Sequence, residues 1–181
     1  MADAIRVFFA LWPDAAARDA LATLAAAVGR QAGGRAPPAG NLHLTLAFVG
    51  ETPTSRVAAL EAIGVAAASA VLPFPLTLDR IGAFPAAGIA WAGPSAPPLE
   101  IVQLATRLGE GLAAEGFAVE RRALHPHVTL ARRCRRRQGD TSTTPITWTV
   151  ARLALNVSDL SSGGPQYREL AGWPLGSHAA A

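Results

Sequence analysis

Lysine is absent from this 181-residue chain, and all sixteen of its basic residues are arginines. Cysteine, methionine and tyrosine each occur once, and charged residues make up only 16% of the sequence. Each scarcity excludes something. One cysteine, Cys134, cannot close an intramolecular disulfide or join a multi-cysteine zinc or iron-sulfur site, which fits a reducing cytoplasm. Sparse charge beside 50% hydrophobic residues is far from the composition of a disordered chain. The most apolar stretch, Val57 to Leu72, is shorter than a membrane span and carries Glu61. The apolar run after Arg6 stops at Pro13, too soon for a secretory signal. A compact cytoplasmic protein without membrane contact is expected, folded as one large domain or two small lobes.

Arginine is the side chain suited to bidentate phosphate contacts. Five of them crowd into Arg132-Arg-Cys-Arg-Arg-Arg137. Either a biased codon usage fills a solvated loop there, or the run attracts a polyanion. No partner for nucleophilic chemistry lies near Cys134 in sequence, so it reads as a surface thiol.

Hydrophobic spacing places strands at Arg6–Leu11, Leu42–Val49, Phe74–Ile81, Ile89–Trp91, His127–Ala131, Trp148–Val157 and Tyr167–Leu170. Helices are expected on the faces Ala17, Leu21, Leu24, Val28, ending at Gly29; Val57, Leu60, Ile63, Ala67, Val71, capped by Thr54 or Ser55; and Ile101, Leu104, Leu108, Leu112. Intermixed strands and helices without a Gly-rich phosphate loop favour an α+β fold.

One segment recurs. His43-Leu-Thr-Leu-Ala47 returns as His127-Val-Thr-Leu-Ala131, which suggests two related lobes joined somewhere between Ile81 and Leu99. Alternation along a strand sends Leu42, Leu44 and Leu46, and likewise Val128 and Leu130, into a core. His43, Thr45, His127 and Thr129 are left on the open faces. A single His-x-Thr is an ordinary strand with a half-buried histidine, but two copies that keep both polar positions point to a site. A cyclic phosphodiester needs a base for the attacking water, an acid for the departing ribose oxygen and donors for the phosphoryl oxygens. Two histidines titrating near neutrality, two threonine hydroxyls and Arg132 directly after the second strand meet those needs without metal or cofactor.

The stretches Asn41-Leu-His-Leu-Thr-Leu-Ala-Phe-Val-Gly-Glu51 and Pro126-His-Val-Thr-Leu-Ala-Arg132 resemble the two signature motifs of the RNA 2′,3′-cyclic phosphodiesterases, also called 2′-5′ RNA ligase-like or LigT/ThpR proteins, of the two-histidine phosphoesterase superfamily. The segments Arg6–Pro13, Leu76–Pro85 and Gly163-Gly-Pro-Gln-Tyr167 agree with them as well. The resemblance implies a single bilobal domain over residues 1–181, with an antiparallel sheet in each lobe, outer helices and the motifs lining a central cleft. It implies a metal-independent hydrolase and monomer, acting on RNA ends or nucleoside 2′,3′-cyclic phosphates to give a 2′-phosphate. It gives His43 the role of proton donor and His127 that of proton acceptor, with Thr45, Thr129 and Arg132 on the phosphate, and it implies that the same site can form 2′-5′ linkages. His125 stands where the family often has arginine, as a phosphate helper or a cleft-edge residue. Phe9 and Phe48 flank the cleft strands and either stack on a base or pack in the core, whereas Trp91 and Trp148 read as structural. His178 sits in an alanine-rich tail read as disordered. Two rivals stand beside this reading: a zinc hydrolase using His43, His125 and His127, and a catalytically weak module that grips RNA ends through the arginine loop.

Overall fold

The computed structural model describes residues 4–120, 122–136, 139–159 and 165–177. Arg137, Gly163, Gly164 and His178, singled out above, lie outside them. Strand β1 (Ala4–Leu11) leads to Asp14, whose carboxylate accepts the Ala17 N–H at 2.8 Å and caps α1 (Ala15–Ala32). The helix does not end at Gly29. That residue is buried inside it, close against Ala36, and the stop is Gly33 in the left-handed region at φ 62°.

The chain continues through β2 (Leu44–Pro53), α2 (Val57–Ser69), β3 (Phe74–Phe84), β4 (Ile89–Gly93), α3 (Leu99–Ala114), β5 (Val128–Ala131), β6 (Thr141–Val150), β7 (Arg152–Asp159) and β8 (Gln166–Pro174). Neither Thr54 nor Ser55 caps α2, because a 3₁₀ turn over Thr54–Arg56 carries the chain into it without a side-chain cap. Helix α3 buries Ile101, Leu104, Leu108 and Leu112, the stripe its spacing predicts.

The expected single strand from Trp148 to Val157 is two strands. β6 and β7 part at Ala151 and run to opposite sides of the sheet, whose order is β6-β3-β4-β5-β2-β1-β7-β8. The apolar run hides the break because burial changes character across it. β6 is an edge strand that carries Pro145 and alternates buried and exposed positions at Trp148 to Val150, while Leu153 to Val157 of the interior strand β7 are buried without interruption.

All pairings in the sheet are antiparallel, and its two four-stranded halves are joined through one residue pair, Leu44 with Val128. The α+β class with antiparallel half-sheets and flanking helices is the one expected. The halves do not correspond to two consecutive pieces of chain, however. Helix α1 follows β1 but packs on β4, β5 and β6, whereas α2 and α3 pack on each other and against β2, β7 and β8. The chain therefore crosses the seam repeatedly rather than once between Ile81 and Leu99. Leu42, Leu44, Leu46, Val128 and Leu130 enter the helical core. The opposite face of β2 and β5 is left open at the seam. No helix among the described residues is long and apolar enough to cross a membrane.

Candidate active site

The seam builds the site. In the antiparallel register that sets Leu44 against Val128, the flanking positions bring His43 alongside Thr129 and Thr45 alongside His127. Each histidine is anchored in the same way. His43 Nδ1 lies 2.7 Å from the Asn41 carbonyl oxygen, and His127 Nδ1 lies 2.8 Å from that of His125. A carbonyl can only accept, so Nδ1 carries the proton and the neutral ring keeps Nε2 as a free base. His43 Nε2 is 3.1 Å from Thr45 Oγ1, whose hydroxyl donates to it while the ring is neutral and accepts once it is protonated.

Aromatic rings enclose both imidazoles. Around His43 stand Phe8, Trp12 and Tyr167, with ring centroids at 5.1, 5.0 and 4.9 Å. Beside His127 stand Phe84 at 5.0 Å and Trp91 at 6.5 Å. Desolvation by this packing is the main reason that the pKa of His43 falls from 6.5 to about 4, with the Arg132 and His127 charges adding to it and the Asn41 carbonyl opposing. His127 is lowered too, first by burial and then by the His125 and Arg132 charges, against the pull of its own carbonyl partner.

A stability consequence follows for His43. Above pH 6.5 the ring is neutral folded or unfolded and contributes no pH dependence. Between about 6.5 and 4 the unfolded chain takes up a proton that the folded chain refuses, so stability falls as pH falls, by at most about 3 kcal/mol at ~1.4 kcal/mol per unit. Denaturant titrations at pH 7 and pH 4 are expected to show a smaller loss for His43→Gln than for the wild type. An equal loss in both would rule out this account of the ring.

A cavity of about 320 Å³ opens on this face, lined by His43, Thr45, Arg132, Phe8, Tyr167, Phe48, Arg6, Ser158 and Pro165. Arg132 is held by its backbone, whose N–H and C=O pair with Arg35 at 2.9 and 2.8 Å. Its side chain is exposed. Phe48 is 47% exposed, with the Arg6 guanidinium 4.9 Å from its ring centre. Phe9 does not belong here. It is fully buried on the helix side, next to Trp173, because β1 turns its neighbour Phe8 towards the cleft. His125 is exposed and packs its ring on Trp91 at 4.6 Å, 6.0 Å from the His127 ring. Among the described residues no three His, Cys, Asp or Glu side chains cluster as a metal-binding group.

The family model of the 2′-5′ RNA ligase superfamily matches residues 12–161 of the chain. The chain belongs to that superfamily. It is 32% identical over 180 residues to the RNA 2′,3′-cyclic phosphodiesterase of Escherichia coli K12, covering 97% of this chain and 99% of the relative. A protein of the same name from Aeropyrum pernix is 32% identical over 145 residues, 72% of this chain and 80% of the relative. Among solved structures, E. coli LigT complexed with 3′-AMP superposes with a TM-score of 0.86 at 30% identity, covering 97% of this chain and all of that one.

Several residues of this superfamily member's site escape a reading of the sequence. Phe8, Trp12 and Tyr167 fall in two of the segments that resemble the family, but nothing local assigns them to the site until the sheet brings them around His43. Asn156 is fully buried and accepts the Trp12 indole N–H at 3.2 Å, while its amide donates to the Ala154 carbonyl at 3.2 Å. The signal available was an asparagine in the middle of an apolar strand, which needs partners for its buried polar atoms. Asn41 contributes twice, through the carbonyl under His43 and through a side-chain amide that donates to the Pro165 carbonyl at 2.7 Å, fastening the segment that leads to Tyr167.

Proposed function

We propose that this chain hydrolyses RNA-terminal or nucleoside 2′,3′-cyclic phosphates to 2′-phosphates, by acid and base catalysis with two histidines. The observation that carries the reading is the pair of imidazoles, each fixed by a carbonyl on Nδ1. They share one seam with two threonines and Arg132. Relatives named RNA 2′,3′-cyclic phosphodiesterase over nearly the whole chain support it.

In this reading His127 Nε2 takes a proton from the water that attacks phosphorus. The bond from phosphorus to O3′ breaks, and His43 Nε2–H gives its proton to that oxygen, leaving the phosphate on O2′. The more open surroundings of His127 suit the entering water. The aromatic enclosure of His43 suits a strong acid, because a depressed pKa makes the imidazolium readier to release its proton, and the arriving phosphate anion favours the protonated ring. Thr45, Thr129 and Arg132 hold the phosphoryl oxygens as charge shifts among them. Phe48 and the Arg6 guanidinium over it offer a surface for the terminal base. A ribose hydroxyl entering in place of water would give a 2′-5′ linkage at the same site. Two lobes, each bringing one motif, form the working unit of this reading, as a cytoplasmic monomer.

Incubating an oligonucleotide that ends in a 2′,3′-cyclic phosphate, near neutral pH and with a chelator present, is expected to yield the 2′-phosphate product. A 3′-phosphate product, or none, overturns the proposal.

A further inference from the structure

A second cavity, of about 620 Å³, lies on the far side of the loop that begins at Arg132. One wall is the turn between β3 and β4, with Pro85, Ala86 and Gly88, and the other is Cys134, Arg135 and Arg136. The arginine loop is fastened rather than loose. The Cys134 N–H donates to the Gly88 carbonyl at 2.9 Å, and the N–H groups of Arg135 and Arg136 both donate to the Ala32 carbonyl, at 2.9 and 3.0 Å. Arg133 turns the chain between the two cavities in the left-handed region, at φ 57°. The Ala32 carbonyl at the end of α1, which would repel an anion, is thereby taken up by donors.

The electrostatics are one-sided. No Asp or Glu is among the residues that line this cavity. Among the described residues none of Arg132, Arg133, Arg135 and Arg136 forms an ion pair. The Arg136 guanidinium is steered by a donation to the Gln31 carbonyl at 3.4 Å, and the exposed guanidinium groups of this short, pinned loop present a local excess of positive charge that attracts an anion. The spacing suits an anion with repeated charges. Arg132 lines the first cavity and Arg135 the second, and three residues of chain span at most about 11 Å.

We propose that the second cavity is a phosphate subsite for the RNA strand on the 5′ side of the cyclic end, holding a backbone phosphate between Arg135 and Arg136 while the terminal phosphate sits between the two histidines. The proposal rests on the function proposed above and adds where the rest of the strand goes. A mononucleotide cannot reach this subsite, whereas an oligonucleotide fills both cavities.

The test compares a nucleoside 2′,3′-cyclic phosphate with a hexanucleotide ending in the same group, on the wild type and on the double variant Arg135→Ala, Arg136→Ala. The expected result is a fall of about tenfold or more in kcat/KM for the hexanucleotide, none for the mononucleotide, and a slope of log K against log salt shallower by about 0.7 for hexanucleotide binding, the share of one phosphate contact on a single strand. Binding of a hexanucleotide with a 3′-phosphate, which does not react, gives a second readout that needs no turnover. Its affinity should fall about tenfold in the double variant, and that of a nucleoside monophosphate should not change. Equal losses on both substrates, no loss on either, or a hexanucleotide affinity unchanged in the double variant would overturn the subsite. If the wild type hydrolyses neither substrate, the proposed function fails, while the binding comparison still decides whether the two arginines hold the strand.

Discussion

His127→Ala is expected to lower kcat by about 10²–10⁴-fold on a 2′,3′-cyclic phosphate substrate, the range that one positioned proton-transfer group contributes. His43→Ala should fall in the same range, and the double variant should be little worse than the poorer single one. Acid and base act on a single displacement, so losing either already forfeits most of what the pair supplies. Single-turnover rates with each variant measure this directly. Binding of an oligonucleotide with a 3′-phosphate, which does not react, should change far less, since Thr45, Thr129 and the arginines remain. The same pair of measurements separates the enzyme from a module that only grips RNA ends: the module has no rate to lose, the enzyme loses rate and keeps affinity. A His127→Ala variant as fast as the wild type would remove the histidine from the mechanism.

The parts of this site that could be read from the sequence are those fixed by local periodicity. His43, Thr45, His127 and Thr129 follow from strand alternation within five residues, and their leucine and valine neighbours enter the core accordingly. The stripe on α3 was legible for the same reason, with the helical period in place of the strand period. What could not be read depends on which strands become neighbours. The run from Trp148 to Val157 has the composition of one strand, and only the pairing of its halves with β3 and with β1 divides it. Phe8 and Phe9 are adjacent, equally apolar and both buried, so composition cannot choose between them. The register of β1 against β2, with irregularities on either side of the pair, sends Phe8 to His43 and Phe9 to the helices. Asn156 shows the same limit: its partner Trp12 is 144 residues away in sequence.

Gly82→Ala should cost about 1–3 kcal/mol of stability and disturb the site together. A Cβ at this position would overlap the six-membered ring of Trp91, which lies across Gly82 on the neighbouring strand. Gly93 is closed off as well, since a Cβ there would sit 2.8 Å from the Pro126 carbonyl oxygen and 3.0 Å from Trp91. Trp91 is thus confined between backbone on two sides, in a place where its indole N–H is buried without a hydrogen-bond partner. Overpacking of this kind is what sets the expected cost, and at ~2–4 °C per kcal/mol it is visible in a melting curve. The displaced ring cannot move alone, because its other faces meet Phe84, His125 and His127. A shift of the order of 1 Å in His127 is enough to cost about a hundredfold in rate. Combining Gly82→Ala with Trp91→Leu tests the cause. If the ring is the obstacle, the double variant melts at a higher temperature than the sum of its single changes predicts, because the smaller side chain accepts the new methyl group. Strict additivity would mean that Gly82 is needed for something other than Trp91, and the link from this glycine through the indole to the catalytic histidine would be lost with it.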